Sequence, residues 1–383
     1  MIKLVLTCSA LALTAVSAQA GGVERSHSPY SILWEKGNYV ELSYGRIMPD
    51  VSGVSPPALG SLNSGSMLSD YNQTTLAFKY ALTPDLDLAL VIDQPIGADV
   101  AYPGGPQGGS TVAYPVSRSN AVVDSNAVTA LLRYRINENW SVHGGLKAQR
   151  TSGQIEIFNP NLPGGRYTMD SSTETDIGVL LGAAYEIPDI ALRVALTWQS
   201  AIKHDFTATE TLPGFPGGPV SRDTAFEVEV PQSLTLDFQS GVAEDTLVFG
   251  SVRWREWGAF NITPPFYSSF GSSDPQNPTN SLVAYPRNVV TLNLGVGRKF
   301  TENFAASISV GYEKSNDFRT SNLGPHNGMK SITIGASYTQ DNWKFSGGVT
   351  YAKLGDATTY APMNGQFKDN DSVAVGFKVG YSF

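Results

Sequence analysis

The segment that most constrains this chain is its end, DSVAVGFKVGYSF at 371–383. Val373, Val375, Phe377, Val379, Tyr381 and Phe383 share one parity, while Ser372, Ala374, Gly376, Lys378, Gly380 and Ser382 share the other. Successive side chains of a strand point to opposite faces, so this strand has one apolar face and one small or polar face. A soluble sandwich would bury the apolar face in a core. An outer-membrane barrel would turn it to lipid and line a lumen with the other face. The aromatic last residue fits the second case, in which the barrel assembly machinery reads the final strand. The remaining chain is expected to be strands that close against this one.

Residues 1–20 read as a secretory leader. Lys3 supplies the positive start, residues 4–16 are a short apolar stretch, and Ala18-Gln19-Ala20 is a cleavage site. The stretch is too short to span a membrane as a helix. The only cysteine, Cys8, lies inside it, which leaves the mature chain no disulfide framework and no thiolate chemistry. Mean hydropathy is −0.12, which argues against helical spans but suits a barrel, whose alternating strands average to neutral. A formal charge of −8 argues against nucleic acid as a partner.

Alternation recurs along the chain. Val40, Leu42 and Tyr44 share a face, as do Leu76, Phe78 and Tyr80, and Leu86, Leu88, Leu90 and Ile92 on the way back from a tight turn at Thr83-Pro84-Asp85. Similar turns stand at 137–139, 187–189, 243–245, 301–303 and 340–342, three of the six followed at once by Trp140, Phe304 or Trp343. The recurrence carries no solenoid or propeller motif. Short turns at one end and long Pro- and Gly-rich loops at the other belong to an outer-membrane barrel with aromatic girdles. Six such turns, with both termini on the turn side, predict an all-β chain: a transmembrane antiparallel barrel of about fourteen strands. Its divisions are the leader at 1–20, a short plug at 21–37 and the barrel at 38–383.

Several phrases carry a more specific resemblance. LLRYRINENWSVHGGLKAQ at 131–149, VPQSLTLDFQSGVAEDTLVFGSVRWREWGAF at 230–260 and YPRNVVTLNLGVGRKFTENFAASISVGYEKS at 285–315 resemble, in order and spacing, the FadL-type outer-membrane transporters of long-chain fatty acids and other hydrophobic compounds. QPIGADVAYPGG at 94–105 is similar to that family's kinked third strand. The resemblance implies a fourteen-stranded barrel, an N-terminal hatch in the lumen and lateral release of substrate into the membrane. It departs at the hatch: only residues 21–37 precede the first strand, and Ser28-Pro29-Tyr30 stands where the family carries Asn-Pro-Ala.

Candidate site residues fall in three groups. Pro95, Ile96 and Gly97 weaken the third strand, because proline lacks a donor and glycine packs poorly. Two readings stay open, a gap in the wall and a plain strand end; the resemblance favours the gap. Lys147, Arg133 and Arg253 have lumen parity, and Arg150 lies on the other parity of the Lys147 strand. The resemblance implies that a basic group on this fifth strand meets a fatty-acid carboxylate. An ungapped match puts that position at Ser152, so Lys147 or Arg150 would substitute. The alternative is a lumen network pairing the cations with Glu313, Asp237 or Glu41. Phe158, Tyr167, Leu212 and Phe215, with Phe260, Phe266, Tyr267 and Phe270, are loop residues suited either to first capture of an apolar ligand or to packing loops together.

No catalytic constellation emerges: His27, His143, His204 and His326 lie in unrelated segments, so the chain is not read as an enzyme. Asp369-Asn370-Asp371 lacks the rest of a calcium loop, and no metal or cofactor is expected. The expected partners are a hydrophobic small molecule such as a long-chain fatty acid, outer-membrane lipid and the assembly machinery, with the barrel a monomer. A general diffusion porin is the alternative, though the lumen-parity residues are rich in Gly, Ala and Ser with some Leu and Val rather than strongly polar.

Overall fold

In the computed structural model, which describes residues 23–26, 28–214 and 217–383, the alternating segments become the wall of a closed barrel. Its strands are β1 (Tyr39–Asp50), β2 (Tyr71–Thr83), β3 (Leu86–Asp93, continued by Gly97–Ala101), β4 (Asn120–Arg135) and β5 (Trp140–Phe158). β6 joins Arg166–Ser171 to Glu174–Ile187, β7 joins Leu192–Gln199 to Ile202–Leu212, and β8 joins Val220–Val230 to Ser233–Ala243. Then follow β9 (Thr246–Arg255), β10 (Val289–Lys299), β11 (Phe304–Glu313), β12 (Met329–Gln340), β13 (Trp343–Leu354) and β14 (Asp371–Ser382). Each pairs antiparallel with its sequence neighbours. β14 closes the ring on β1, with Tyr39 opposite Ser382 and Asp50 opposite Asp371. The leader and Phe215 lie outside the described residues.

The parity reading holds in space. Leu294, Val310, Ile334, Val349, Val375 and Phe377 are each about half exposed on the outer face, where lipid rather than water accounts for them. Ser372 and Ala374 are buried on the inner face. At the turn end the predicted aromatics pair up: Trp140 with Tyr185 at 4.9 Å, Trp343 with Tyr381 at 4.7 Å, and Phe78 with Phe383 at 6.0 Å. The six short turns share that end. Three of them use left-handed residues, Ala191, Asp245 and Asp341; the latter two are an aspartate at a place where its short polar side chain tolerates positive φ.

At the other end the loops build a lid of their own. Gly53–Val54, Gln366–Phe367 and Ala357–Thr358 form a small sheet, and a short helix, Pro265–Ser268, sits in the loop after β9. The buried apolar cluster that includes Val51, Met67, Tyr114, Trp257 and Phe367 fuses these loops with the upper lumen.

Polarity of the two faces predicts an asymmetric response to charge. Leu294→Arg should cost about 2–4 kcal/mol of barrel stability near the midplane, whereas Asn293→Arg, one residue away but inward, should cost much less. Urea titration of folding into lipid vesicles, read by heat-modifiable mobility, checks this; equal losses would contradict the assignment of faces.

Candidate functional site

The site is built from an interruption in the wall and the N-terminal arm that fills it. β3 pairs with β4 on both sides of residues 94–96, Asp93 opposite Ala127 below and Gly97 opposite Asp124 above, so one extra residue is taken up between them. Ser125 covers the kink: its Oγ accepts from the Ile96 N–H at 2.9 Å and donates to the Ile96 carbonyl at 2.6 Å. On the other edge the ladder to β2 stops at Leu76 opposite Ile92. Higher up, Ala101 N–H donates to Met67 O and Ser69 N–H to Asp99 O, each at 2.9 Å. A window is left between Tyr71–Thr75 and the kink. Strand 3 therefore does not simply end at Gln94.

The arm at 23–26 occupies that window as a short strand substitute. Gly97 N–H donates to Val23 O at 2.8 Å, Arg25 N–H to Pro95 O at 2.9 Å, and Glu24 forms an antiparallel bridge with Ile96. Gln73 Nε2 donates to Arg25 O at 2.8 Å, and the Arg25 guanidinium lies 4.3 Å over the Tyr71 ring. A Cβ on Gly97 would collide with that guanidinium. A side chain at 97 would therefore require the Arg25 guanidinium to shift.

Wall charges hold the arm and the turn of helix behind it, Pro29–Trp34. Glu24 Oε1 takes Arg253 Nη2 at 2.6 Å and also pairs with Arg255. Ser26 Oγ donates to Asp93 at 2.5 Å and Tyr30 OH to Asp237 at 3.0 Å. Trp34 lies between Arg133, 4.4 Å from its ring, and Arg193 at 4.8 Å. Lys344 pairs with Glu35 at 3.1 Å, and Lys79 donates to the carbonyls of Glu35 and Gly37, both at 2.9 Å.

The predicted basic set is thus divided. Arg253 serves the arm. Arg133 pairs with Glu186 and donates to Leu33 O at 3.2 Å. Lys147 is buried within electrostatic reach of Asp93 and Glu24. Arg150 is exposed on the outer face, away from the lumen. Lys378 does find the anticipated Glu41, at 3.1 Å. The partner that the sequence reading missed is Glu24, because nothing local links it to a strand 229 residues later. Among the described residues, Arg253 Nε and Nη1 and Arg255 Nε are buried without a hydrogen-bond partner.

Two spaces are present, an external one of mixed polarity whose lining includes Asn159, Asn277 and Ser281, and an inner apolar one that touches the kink at Ile96. An external cavity of about 600 Å³ opens among the loops, lined by Tyr102, Leu162, Tyr267, Phe270, Leu323 and Met363 among others. Beneath it, an inner apolar pocket of about 40 Å³ is walled by Ile96, Val123, Ile155, Met169, Phe206 and Phe260 and neighbouring side chains. Of the predicted capture residues, Phe158, Tyr167 and Leu212 lie at the ends of β5, β6 and β7 rather than in loops; Tyr167 and Leu212 are fully buried, and Phe158 lies under Arg166 at 5.7 Å. Tyr267 and Phe270 are the aromatics of the third loop that reach the cavity. Asp274 ties three loops around it, accepting from Ala361 N–H at 2.6 Å, Gln276 N–H at 2.8 Å and Arg319 at 2.8 Å. Burial alone would raise this carboxyl, but those donors together hold it below the ordinary carboxylate value.

Burial pushes the His326 imidazole, in the loop after β11, down to about 4 from its ordinary 6.5. A depressed histidine supports folding fully above the unfolded value and withdraws that support as pH falls toward the folded one, by up to about 1.4 kcal/mol per unit. Amide exchange in 314–328, corrected for its intrinsic pH dependence, should therefore speed between pH 6.5 and 4. His326→Gln should flatten that change; an unchanged profile in the parent protein would contradict it.

Comparison with known proteins adds three findings. A family model described as outer membrane protein transport protein (OMPP1/FadL/TodX) matches residues 109–359. No curated protein matches by sequence. Among solved structures, a Pseudomonas aeruginosa FadL homologue superposes with a TM-score of 0.70 at 15% identity, covering 96% of this chain and 97% of the other. The Pseudomonas putida toluene transporter TodX gives 0.66 at 12%, covering 96% of both chains. The Ralstonia pickettii toluene transporter TbuX gives 0.63 at 14%, covering 96% and 97%. At these identities the superpositions establish the shared fold.

Proposed function

Because the chain belongs to the OMPP1/FadL/TodX family of outer-membrane transport proteins, whose members carry hydrophobic compounds across the outer membrane, we propose that its substrate is an amphiphile with a long apolar chain and an anionic head, a long-chain fatty acid being the simplest. The proposed route runs from the external cavity to the inner pocket and out through the window beside the third strand. The described part of 21–37 acts as the hatch.

The observation that carries this reading is the sharing of Glu24 by Arg253 and Arg255. Two buried guanidiniums on one carboxylate leave donors over, and buried cations without partners are costly. A ligand carboxylate would supply the missing acceptors. It would also compete for the guanidiniums that Glu24 holds, freeing the arm from Ile96 and Gly97. A neutral aromatic hydrocarbon gives those cations nothing.

Size supports the same sequence of events. A drug-sized ligand site needs roughly 300–1,000 Å³, which the external cavity meets and the inner pocket does not. The inner pocket can take a chain only when its walls move, and Ile96 is one of those walls. Each methylene then contributes roughly 0.8 kcal/mol on burial, against about 1.5–3 kcal/mol for the charged hydrogen bond. Chain length should dominate affinity, and the head group should trigger release. An exit through the window keeps the chain out of water, which preserves what burial gained. A general diffusion porin would need an open lumen, whereas here the hatch is bonded to the wall at both ends.

Glu24→Gln removes the charge that docks the arm and leaves both arginines unpaired, a loss of about 3–5 kcal/mol for a buried pair. The variant should show more frequent open events in planar bilayers and weaker dependence of opening on added oleate. Arg253→Met should instead lower oleate affinity while leaving uptake of a neutral hydrocarbon such as toluene near the parent level. Equal loss of oleate and toluene binding in Arg253→Met would refute head-group recognition there.

A further inference from the structure

A second interruption of the wall lies between β6 and β7. Below it Leu180 stands opposite Gln199, and above it Ser171 stands opposite Ala208. The register is the same on both sides. Carried through, it would set Ile177 against Ile202, Thr175 against His204 and Thr173 against Phe206, yet the ladder skips these residues. The two ends of the slit are finished alike by serines. Val179 N–H donates to Ser200 Oγ at 2.9 Å at the lower end, and Thr207 N–H to Ser172 Oγ at 3.0 Å at the upper. β7 and β8 both break at this level, at 200–201 and 231–232.

Side chains close the slit where backbone does not. Ile202 covers Gly178 so closely that a Cβ there would meet its Cγ1 at 2.7 Å. Asp176 reaches across from β6 to His204, Oδ2 to Nδ1 at 2.7 Å. His204 is fully buried, while the Asp176 side chain is 39% exposed. Outward residues mark the height. Ile177 and Val179 on the lower lip are exposed and apolar, whereas the upper lip carries Lys203, paired with Glu227 at 2.9 Å, and Asp205. The slit stands where the lipid-facing band gives way to charge. On its inner side lie His204 and Phe206, which line the same inner pocket as Ile96.

We infer that this slit is a side entrance, through which an apolar or amphiphilic molecule already dissolved in the outer leaflet reaches the inner pocket without passing the external cavity. The inference rests on the transport reading above for the use of the pocket, but the port itself is a property of the wall. Ile202 is its plug and the Asp176–His204 hydrogen bond its latch. A long chain entering here slides from lipid into an apolar pocket, so its hydrophobic surface meets no water on the way. The polar latch faces the headgroup level, where water can solvate Asp176 and His204 once they part.

The test uses the full barrel in lipid nanodiscs, with a small fluorophore on Ile202→Cys and nitroxide lipids spin-labelled high on the acyl chain. Quenching should be several-fold stronger than for the same label on Thr350→Cys, on the buried inner face of β13, and Asp176→Ala should raise it further. Quenching at 202 no greater than at 350 would overturn the port, whatever the protein transports. A second variant, Asp176→Cys with His204→Cys bridged by a short thiol cross-linker, addresses use of the port. Uptake of oleate delivered from labelled membranes should fall several-fold, while uptake of oleate presented from cyclodextrin holds. Equal loss by both deliveries would overturn the side entrance. Absence of oleate uptake in the unbridged protein by either delivery would overturn the transport reading and the proposed use of the port, with the quenching result still deciding whether the wall opens to lipid.

Discussion

Two guanidiniums converging on one carboxylate organise the interior of this barrel. Arg253 and Arg255 project inward from the same strand and both meet Glu24. Buried cations need partners, and the wall around them offers few, so the chain's own N-terminal arm provides one. Seating Glu24 fixes the arm, and the arm completes the hydrogen bonding of the kinked third strand at Pro95 and Gly97. Charge satisfaction and wall closure are therefore one event. The same logic repeats lower down, where Lys344 takes Glu35 and two arginines flank Trp34.

A wall made of ladders can open only where pairing is already missing. Among the described residues, two such places adjoin the inner pocket, and each is closed by side chains or by the arm. The third-strand window is filled by residues 23–26, the slit between β6 and β7 by Ile202 and the Asp176 latch. Both touch the inner pocket, one through Ile96 and the other through His204 and Phe206. Other stretches run in one register, for instance between β12 and β13 from Met329 opposite Leu354 to Gln340 opposite Trp343.

The frame was legible in the sequence because its physics is local. Period-two alternation assigns faces, and tight turns followed by Trp140, Phe304 and Trp343 assign the ends. Proline and glycine at 95 and 97 marked the kink for the same reason. The site was less legible. Arg253 was visible as an inward cation, but Glu24 lies in a segment with no period. Tyr167 and Leu212 share the composition of capture residues, and only packing reveals that they are buried. The slit left almost no trace: Ile202, His204 and Phe206 go on alternating as a paired strand would. The break at 200–201 is Ser-Ala, which announces nothing; only Pro231, in the break at 231–232 on the next strand, hints at an interruption at this level.

The most direct test of this account is the position of the arm with and without ligand. Spin labels on Ser28→Cys and on Thr74→Cys, flanking the third-strand window, would report their separation by pulsed electron resonance in nanodiscs. One narrow, short distribution is expected at rest, with a longer component growing in as oleate saturates the protein and staying absent in Glu24-independent conditions such as saturating toluene. A distribution that does not move while oleate is demonstrably bound would contradict the claim that the ligand competes for the cations that hold the hatch.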